Sequence, residues 1–153
     1  MSVTASLTEL TTAEIDACHA DPAVLTAILT DRTRVSCGLD KAWAGLWFLF
    51  AAGDYPFEAA MLDVQRTVQI GPYRVNFVHP GALDRIADNL DSDVRAAHLG
   101  QFYDPTAMQG VYPDIWVRDG EAARDYLLSF IPALRTFAFA ATDRKAGAVV
   151  VIG

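Results

Sequence analysis

Seven residues have side chains and positions suited to recognising or transforming a ligand. They are the charged, imidazole and aromatic residues at the ends of predicted helices and strands: Asp40, Lys41, Trp43, Tyr73, His79, Tyr112 and Trp116. A carboxylate, an imidazole and a phenol can share acid–base work, so Asp40, His79 and Tyr73 around one pocket would suit an enzyme acting on a small molecule. Tyrosine and tryptophan also dominate recognition surfaces, so the same set suits a binding module.

Two of these candidates also have an ordinary structural interpretation. Asp40 is predicted to cap the apolar helix that begins beside it, because aspartate accepts hydrogen bonds from the first helical N–H groups. His79 precedes Pro80 at a strand-to-helix junction, where α/β proteins often bind ligands but where turn residues are also common. The sequence leaves the structural and functional interpretations of both residues open.

No motif fixes a reaction or a cofactor. The chain lacks a Gly-rich nucleotide loop, a metalloprotease helix, a nucleophile elbow and a C-x-x-C pair. The three histidines, His19, His79 and His98, have no metal-ligand spacing, so we expect neither a metal ion nor a cofactor. We therefore favour a non-enzymatic binding module, for a protein or a small ligand, over an enzyme. A structural or oligomeric accessory role is a third possibility.

Composition limits the partners. The chain has 153 residues, of which 52% are apolar and 20% charged, which predicts one globular domain. Its net charge of −7 repels phosphate backbones and anionic membrane surfaces. The longest apolar run, Ala42 to Ala52, is shorter than the about 20 residues that span a bilayer, and the N-terminus lacks a basic signal region. We expect a cytoplasmic monomer or small homo-oligomer, with Cys18 and Cys37 as free thiols.

Sequence patterns predict the elements that would position the candidates. Strands are predicted from alternating or β-rich runs at Val3–Leu10, Thr67–Ile70, Tyr73–Val78 and Ala148–Ile152. Helices are predicted after the Thr11–Glu14 capping box, Asp21-Pro22, Asp40, Pro80 and Asp91 or Ser92, with a possible short one at Glu58–Leu62. The longest helix is predicted at Glu121–Thr142, kinked by Pro132. Strands at both ends of the chain predict an α/β domain, or an α+β one, in which the terminal strands share a sheet.

The block from Leu39 to Leu49, Leu-Asp-Lys-Ala-Trp-Ala-Gly-Leu-Trp-Phe-Leu, resembles the signature helix of the YfbM-like family, a bacterial domain of unknown function. Other landmarks follow in the family's order: Asp21-Pro22, Gly71-Pro72-Tyr73-Arg74, Pro80 and Tyr112-Pro113-Asp114-Ile115-Trp116. The chain departs from the pattern at Val3-Thr4-Ala5 and at Asp63-Val64-Gln65, where glycines are expected. The resemblance implies a compact layered fold and no particular activity.

Overall fold

A computed structural model describes residues 2–53 and 67–153 of the chain. In chain order the elements are β1 (Ala5–Leu10), α1 (Thr12–Ala20), α2 (Pro22–Thr30), β2 (Ser36–Asp40), α3 (Trp43–Ala52), β3 (Val68–Ile70), β4 (Tyr73–Val78), α4 (Pro80–Asn89), α5 (Asp93–Leu99), α6 (Trp116–Leu128), α7 (Ile131–Asp143) and β5 (Gly147–Ile152). Within these ranges, no helix combines the length and the apolar character that crossing a membrane requires. The short helix predicted at Glu58–Leu62 lies outside the described residues.

The five strands form one antiparallel sheet in the order β2-β1-β5-β4-β3. β5 is the central strand: Val150 pairs with Leu7 of β1 on one side and with Asn76 of β4 on the other. A strand covered on both faces is apolar throughout, which explains the run from Ala148 to Ile152. The predicted layering of helices on a sheet that contains both terminal strands is confirmed. The antiparallel pairing corresponds to the α+β form of that prediction.

Different helices cover the two faces of the sheet. Successive residues of a strand point to opposite faces. Leu10, Phe77 and Val149 therefore pack against α1 and α2 on one face. On the other face, Leu7 and Val150 pack against α3 to α7. Cys18 and Cys37 are buried free thiols that belong to these two separate clusters.

The predicted starts of α1, α2 and α5 are confirmed by their capping hydrogen bonds. The Thr11 hydroxyl accepts from the backbone N–H of Glu14, and the Glu14 carboxylate accepts from the backbone N–H of Thr11. The Asp21 carboxylate accepts from the N–H of Ala23 at 2.9 Å, and Ser92 caps α5 in the same way. These local signals are reliable because each satisfies N–H groups that the helix itself leaves unpaired.

The prediction that Asp40 caps α3 is wrong. Asp40 ends the edge strand β2, which the sequence analysis did not predict, and α3 begins at Trp43 with Ala42 as its N-cap residue. Asp40 has a φ of 44°, a left-handed conformation that aspartate tolerates better than most residues. The carboxylate of Asp40 accepts a hydrogen bond from Tyr126, and no side chain caps the start of α3.

The prediction of one long kinked helix near the C-terminus is also wrong. The structure has two helices, α6 and α7, with Ser129 as the C-cap of the first and Pro132 in the first turn of the second. Proline is well accommodated there, because the first-turn N–H groups have no partner within the helix. Pro132 therefore starts a helix and does not kink one.

Candidate functional site

Five of the seven predicted site residues lie close together around the start of α3. The ring of Trp43 stacks on that of Tyr112 with their centroids 5.9 Å apart. Asp40 and Lys41 lie shortly before α3; the hydroxyl group of Tyr126 donates to the Asp40 carboxylate, and the backbone of Lys41 contacts the same hydroxyl. The fifth residue, Trp116, is fully buried against α3. We call Asp40, Lys41, Trp43, Tyr112 and Tyr126 the Trp43 cluster.

The polar atoms of the Trp43 cluster are used to hold the fold. The indole N–H of Trp43 donates to the carbonyl oxygen of Val3 at 3.2 Å, and the Tyr112 hydroxyl accepts from the N–H of Val3 at 2.8 Å. The hydroxyl of Tyr126 donates to Asp40 Oδ2 at 2.8 Å. Burial and the Asp40 carboxylate raise the pKa of Tyr126 to about 12, so the hydroxyl remains a donor at neutral pH. The cluster thus fastens the N-terminal segment to α3.

Tyr73 and His79 lie elsewhere. Tyr73 is half exposed on β4, and its ring lies against Gly153 on the face of the sheet that carries α1 and α2. His79 precedes α4 at the end of the sheet where Val78 pairs with Ala148, whereas Asp40 lies near Ile152 at the other end. These ends are separated by roughly 13 Å at about 3.3 Å per strand residue. Asp40, Tyr73 and His79 therefore do not line one pocket.

A groove between α1 and α2 is a concave feature that combines an apolar lining with charged side chains. We call it the α1–α2 groove; its volume is about 500 Å³, and it is lined by Ala13, Glu14, Ala17, Val24, Ala27, Ile28, Asp31 and Arg34. A second cavity of about 410 Å³ adjoins it and shares Glu14, Asp31 and Arg34. Small apolar side chains thus form the length of the groove, and three charged side chains form one end.

Arg34 is held between the two cavities by oxygen atoms. Its guanidinium group forms an ion pair with Glu14 and donates through Nη1 to the carbonyl oxygen of Glu9 at 3.4 Å. Its Nε lies 3.6 Å from Asp31 Oδ2, is buried, and has no hydrogen-bond acceptor among the described residues. The hydrogen bond from Arg34 lowers the pKa of Glu14, and the same contact raises the pKa of Arg34.

Asp31 contributes to the groove a carboxylate of which one oxygen, Oδ1, accepts hydrogen bonds from Thr33. Its Oδ1 accepts from the backbone N–H of Thr33 at 3.0 Å and from the Thr33 hydroxyl at 2.6 Å, and these bonds lower the pKa of Asp31. Its Oδ2 is beyond hydrogen-bond distance of Arg34 Nε. The carboxylate of Glu9, in contrast, accepts two hydrogen bonds from Arg144 at 2.7 and 2.9 Å. Asp31 Oδ2 is therefore the acceptor best placed to meet a ligand.

The α1–α2 groove was not predicted from the sequence. Alanines recur four residues apart on α1 and on α2, at Ala13 and Ala17 and at Ala23 and Ala27, which is the spacing of one helix face. Small side chains on facing helices leave space between them, so this spacing was an available signal. Glu14 was explained by the capping box, and its second role with Arg34 depends on a contact distant in sequence. Within the described residues, no three histidine, cysteine, aspartate or glutamate side chains are grouped to hold a metal ion.

The fold of the chain is similar to that of a solved structure. The chain is similar to the crystal structure of YfbM from Escherichia coli, a protein of unknown function, with a TM-score of 0.70 and 13% sequence identity over 98% of this chain and 99% of that one. The model of the family described as a domain of unknown function, DUF1877, matches residues 1–152, and the chain therefore belongs to this family. No curated protein matches the chain. The YfbM-like resemblance of the sequence is thus confirmed, and it carries the fold alone.

Proposed function

We propose that the protein is a non-enzymatic binding module whose ligand site is the α1–α2 groove. The observation that carries this proposal is the coincidence of an apolar concavity with three charged side chains at one end, those of Glu14, Asp31 and Arg34. Small-molecule sites are typically concave and mostly apolar, with a few polar groups that orient the ligand.

The side chains that line the groove favour binding over catalysis. Neither the groove nor the adjoining cavity is lined by a histidine or a cysteine. The lining hydroxyl groups are used locally: Thr11 caps α1, and Thr33 donates to Asp31. The alternative enzyme site at Asp40, His79 and Tyr73 lacks support from the geometry, because these residues are far apart. For an accessory structural role, the large exposed apolar side chains of the described residues are few: Val35, Tyr73, Val94, Val117 and Phe139.

The proposal is tested by titrating the ¹⁵N-labelled protein with n-hexanol, a neutral probe that has an apolar chain and a polar end. We expect chemical-shift changes confined to residues 13–17 and 24–34, with a Kd in the millimolar range, which corresponds to about 4 kcal/mol. Ala27→Phe places a ring over the groove from an exposed position and should abolish these changes. Ala122→Phe, an equally exposed change on α6, should leave them intact.

Absence of shifts in the groove, or equal loss of binding in both phenylalanine variants, would contradict the proposed function. Both variants should first be shown to unfold at the wild-type temperature. Their substituted positions are exposed on helices, so the added rings have room in solvent.

A further inference from the structure

We infer that the α1–α2 groove selects an amphipathic cation, a primary ammonium group carried on a short aliphatic chain. This inference rests on the proposed function and adds the charge of the ligand to it. The occupant is a small molecule, because a volume of about 500 Å³ lies in the usual range for small-molecule sites, roughly 300–1,000 Å³.

The charges at the end of the groove favour a cation. Two carboxylates, Glu14 and Asp31, and one guanidinium, Arg34, line the groove. Asp31 also follows the last residue of α2, and the dipole at a helix C-terminus favours positive charge. The opposing N-terminus of α1 lies at the same end, but its capping box already satisfies it. The protein as a whole carries a net charge of −7, which attracts cations to its surface.

The contacts and the burial of Arg34 argue against an anionic ligand. Its Nη atoms are directed at Glu14 and at the carbonyl oxygen of Glu9, and its Nε is buried beyond the reach of a ligand. An incoming carboxylate would meet the negative charges of Glu14 and Asp31 beside Arg34, whereas an ammonium group would meet Asp31 Oδ2 without displacing a hydrogen-bonded partner. The side chain of Asp31 is 42% exposed, so this oxygen can be approached from solvent.

The apolar side chains that form the floor of the groove indicate that the ligand carries an aliphatic chain. Val24 and Ile28 lie one helical turn apart on α2, and Ala17 faces them from α1. From Val24 to Asp31 the helix rises about 10 Å, at 1.5 Å per residue. An aliphatic chain lying along this floor would place its terminal ammonium group at Asp31.

The test compares three probes that differ only in their polar end: n-hexylamine, n-hexanol and n-hexanoate. We expect hexylamine to bind most tightly and hexanoate most weakly, as measured by chemical-shift titration at neutral pH. Asp31→Asn keeps an oxygen that can accept from Thr33 but removes the negative charge. It should raise the Kd of hexylamine about fivefold, the effect expected for a partly exposed ion pair, and leave the Kd of hexanol unchanged. Asp84→Asn makes the same charge change at an exposed position on α4 and should leave hexylamine binding at its wild-type value.

The outcomes separate the two proposals. If hexanol perturbs the groove but hexanoate binds as tightly as hexylamine, the cation preference is wrong and the binding module stands. The same conclusion follows if Asp31→Asn and Asp84→Asn weaken hexylamine equally, since attraction would then come from net charge alone. If none of the three probes perturbs residues 13–17 and 24–34, the proposed function itself is wrong.

Discussion

Replacing Gly45 with alanine is expected to destabilise the protein, although alanine is the better helix former. Gly45 is the third residue of α3, where a Cβ atom would stand 2.6 Å from Cη2 and 2.9 Å from Cζ2 of Trp116. The same Cβ would lie 3.0 Å from Cδ1 of Leu127. Contacts below 3.0 Å require one of the partners to move.

The indole of Trp116 has little freedom to move. It is fully buried, and its Nε1–H donates to the carbonyl oxygen of Val111 at 2.7 Å. Forcing an extra methyl group into a packed core costs about 1–3 kcal/mol, and a rigid ring places Gly45→Ala near the upper end of this range. Alanine recovers about 1 kcal/mol of helix propensity. The net expectation is a loss of about 2 kcal/mol, which lowers the Tm by about 4–8 °C for a chain of this size.

Thermal and urea unfolding followed by circular dichroism measure this loss. Gly81→Ala is the matched control, because Gly81 lies in α4 and a Cβ there would meet no described atom within 4 Å. The stability of Gly81→Ala should be unchanged or raised by up to about 1 kcal/mol. If Gly45→Ala were as stable as the wild type, the close approach of α3 to Trp116 would be refuted.

Three substitutions test the ion pair and the tyrosine hydrogen bond described above, and a thiol reaction tests the burial of Cys37. Glu14→Gln removes the charge that pairs with Arg34. Because Arg34 holds the pKa of Glu14 below 4.5, the ion pair stabilises the protein fully at neutral pH and its contribution is lost as the pH falls. The difference in free energy of unfolding between this variant and the wild type should therefore narrow from about pH 6 to 3 in urea titrations, and a constant difference would contradict the ion pair. Tyr126→Phe should cost about 1 kcal/mol at neutral pH, a loss that declines as the pH rises from about 10 towards 12. Asp40→Asn should lower the midpoint of Tyr126 in tyrosinate absorbance, and an unchanged midpoint would argue against their hydrogen bond. Burial raises the pKa of Cys37 to about 11, so the native protein should react slowly with Ellman's reagent and quickly in urea; rapid native reaction would contradict this burial.

Features of the fold that depend on neighbouring residues could be predicted from the sequence. The capping box at Thr11 and Glu14 and the turn at Gly71-Pro72 are set by local hydrogen bonds and backbone preferences, and both occur as expected. The central position of β5 follows from its wholly apolar run. β2 was missed because it has only five residues, and two of them are glycine and aspartate, which are uncommon in strands.

The arrangement of the candidate site could not be predicted in the same way. The aromatic residues Trp43 and Tyr112 were correctly singled out, but their partner, the backbone of Val3, is far away in sequence. His79 and Asp40 both lie at ends of strands, and only the register of the sheet shows that these are opposite ends. The groove depends on Arg34 reaching back to Glu14, a contact between two elements that no local pattern specifies.

The central position of β5 also governs the order in which the chain can assemble during synthesis. β1 and β2 pair with each other, as do β3 and β4, but these two strand pairs join in the sheet only through β5. Residues 147–152 are translated after the other described strands, so the two halves of the sheet join through β5 only once these residues have emerged from the ribosome. Until then, the inner edges of β1 and β4 present unpaired backbone groups. A nascent chain stalled before Gly147 should therefore be a preferred substrate for chaperones, whereas the released chain should not.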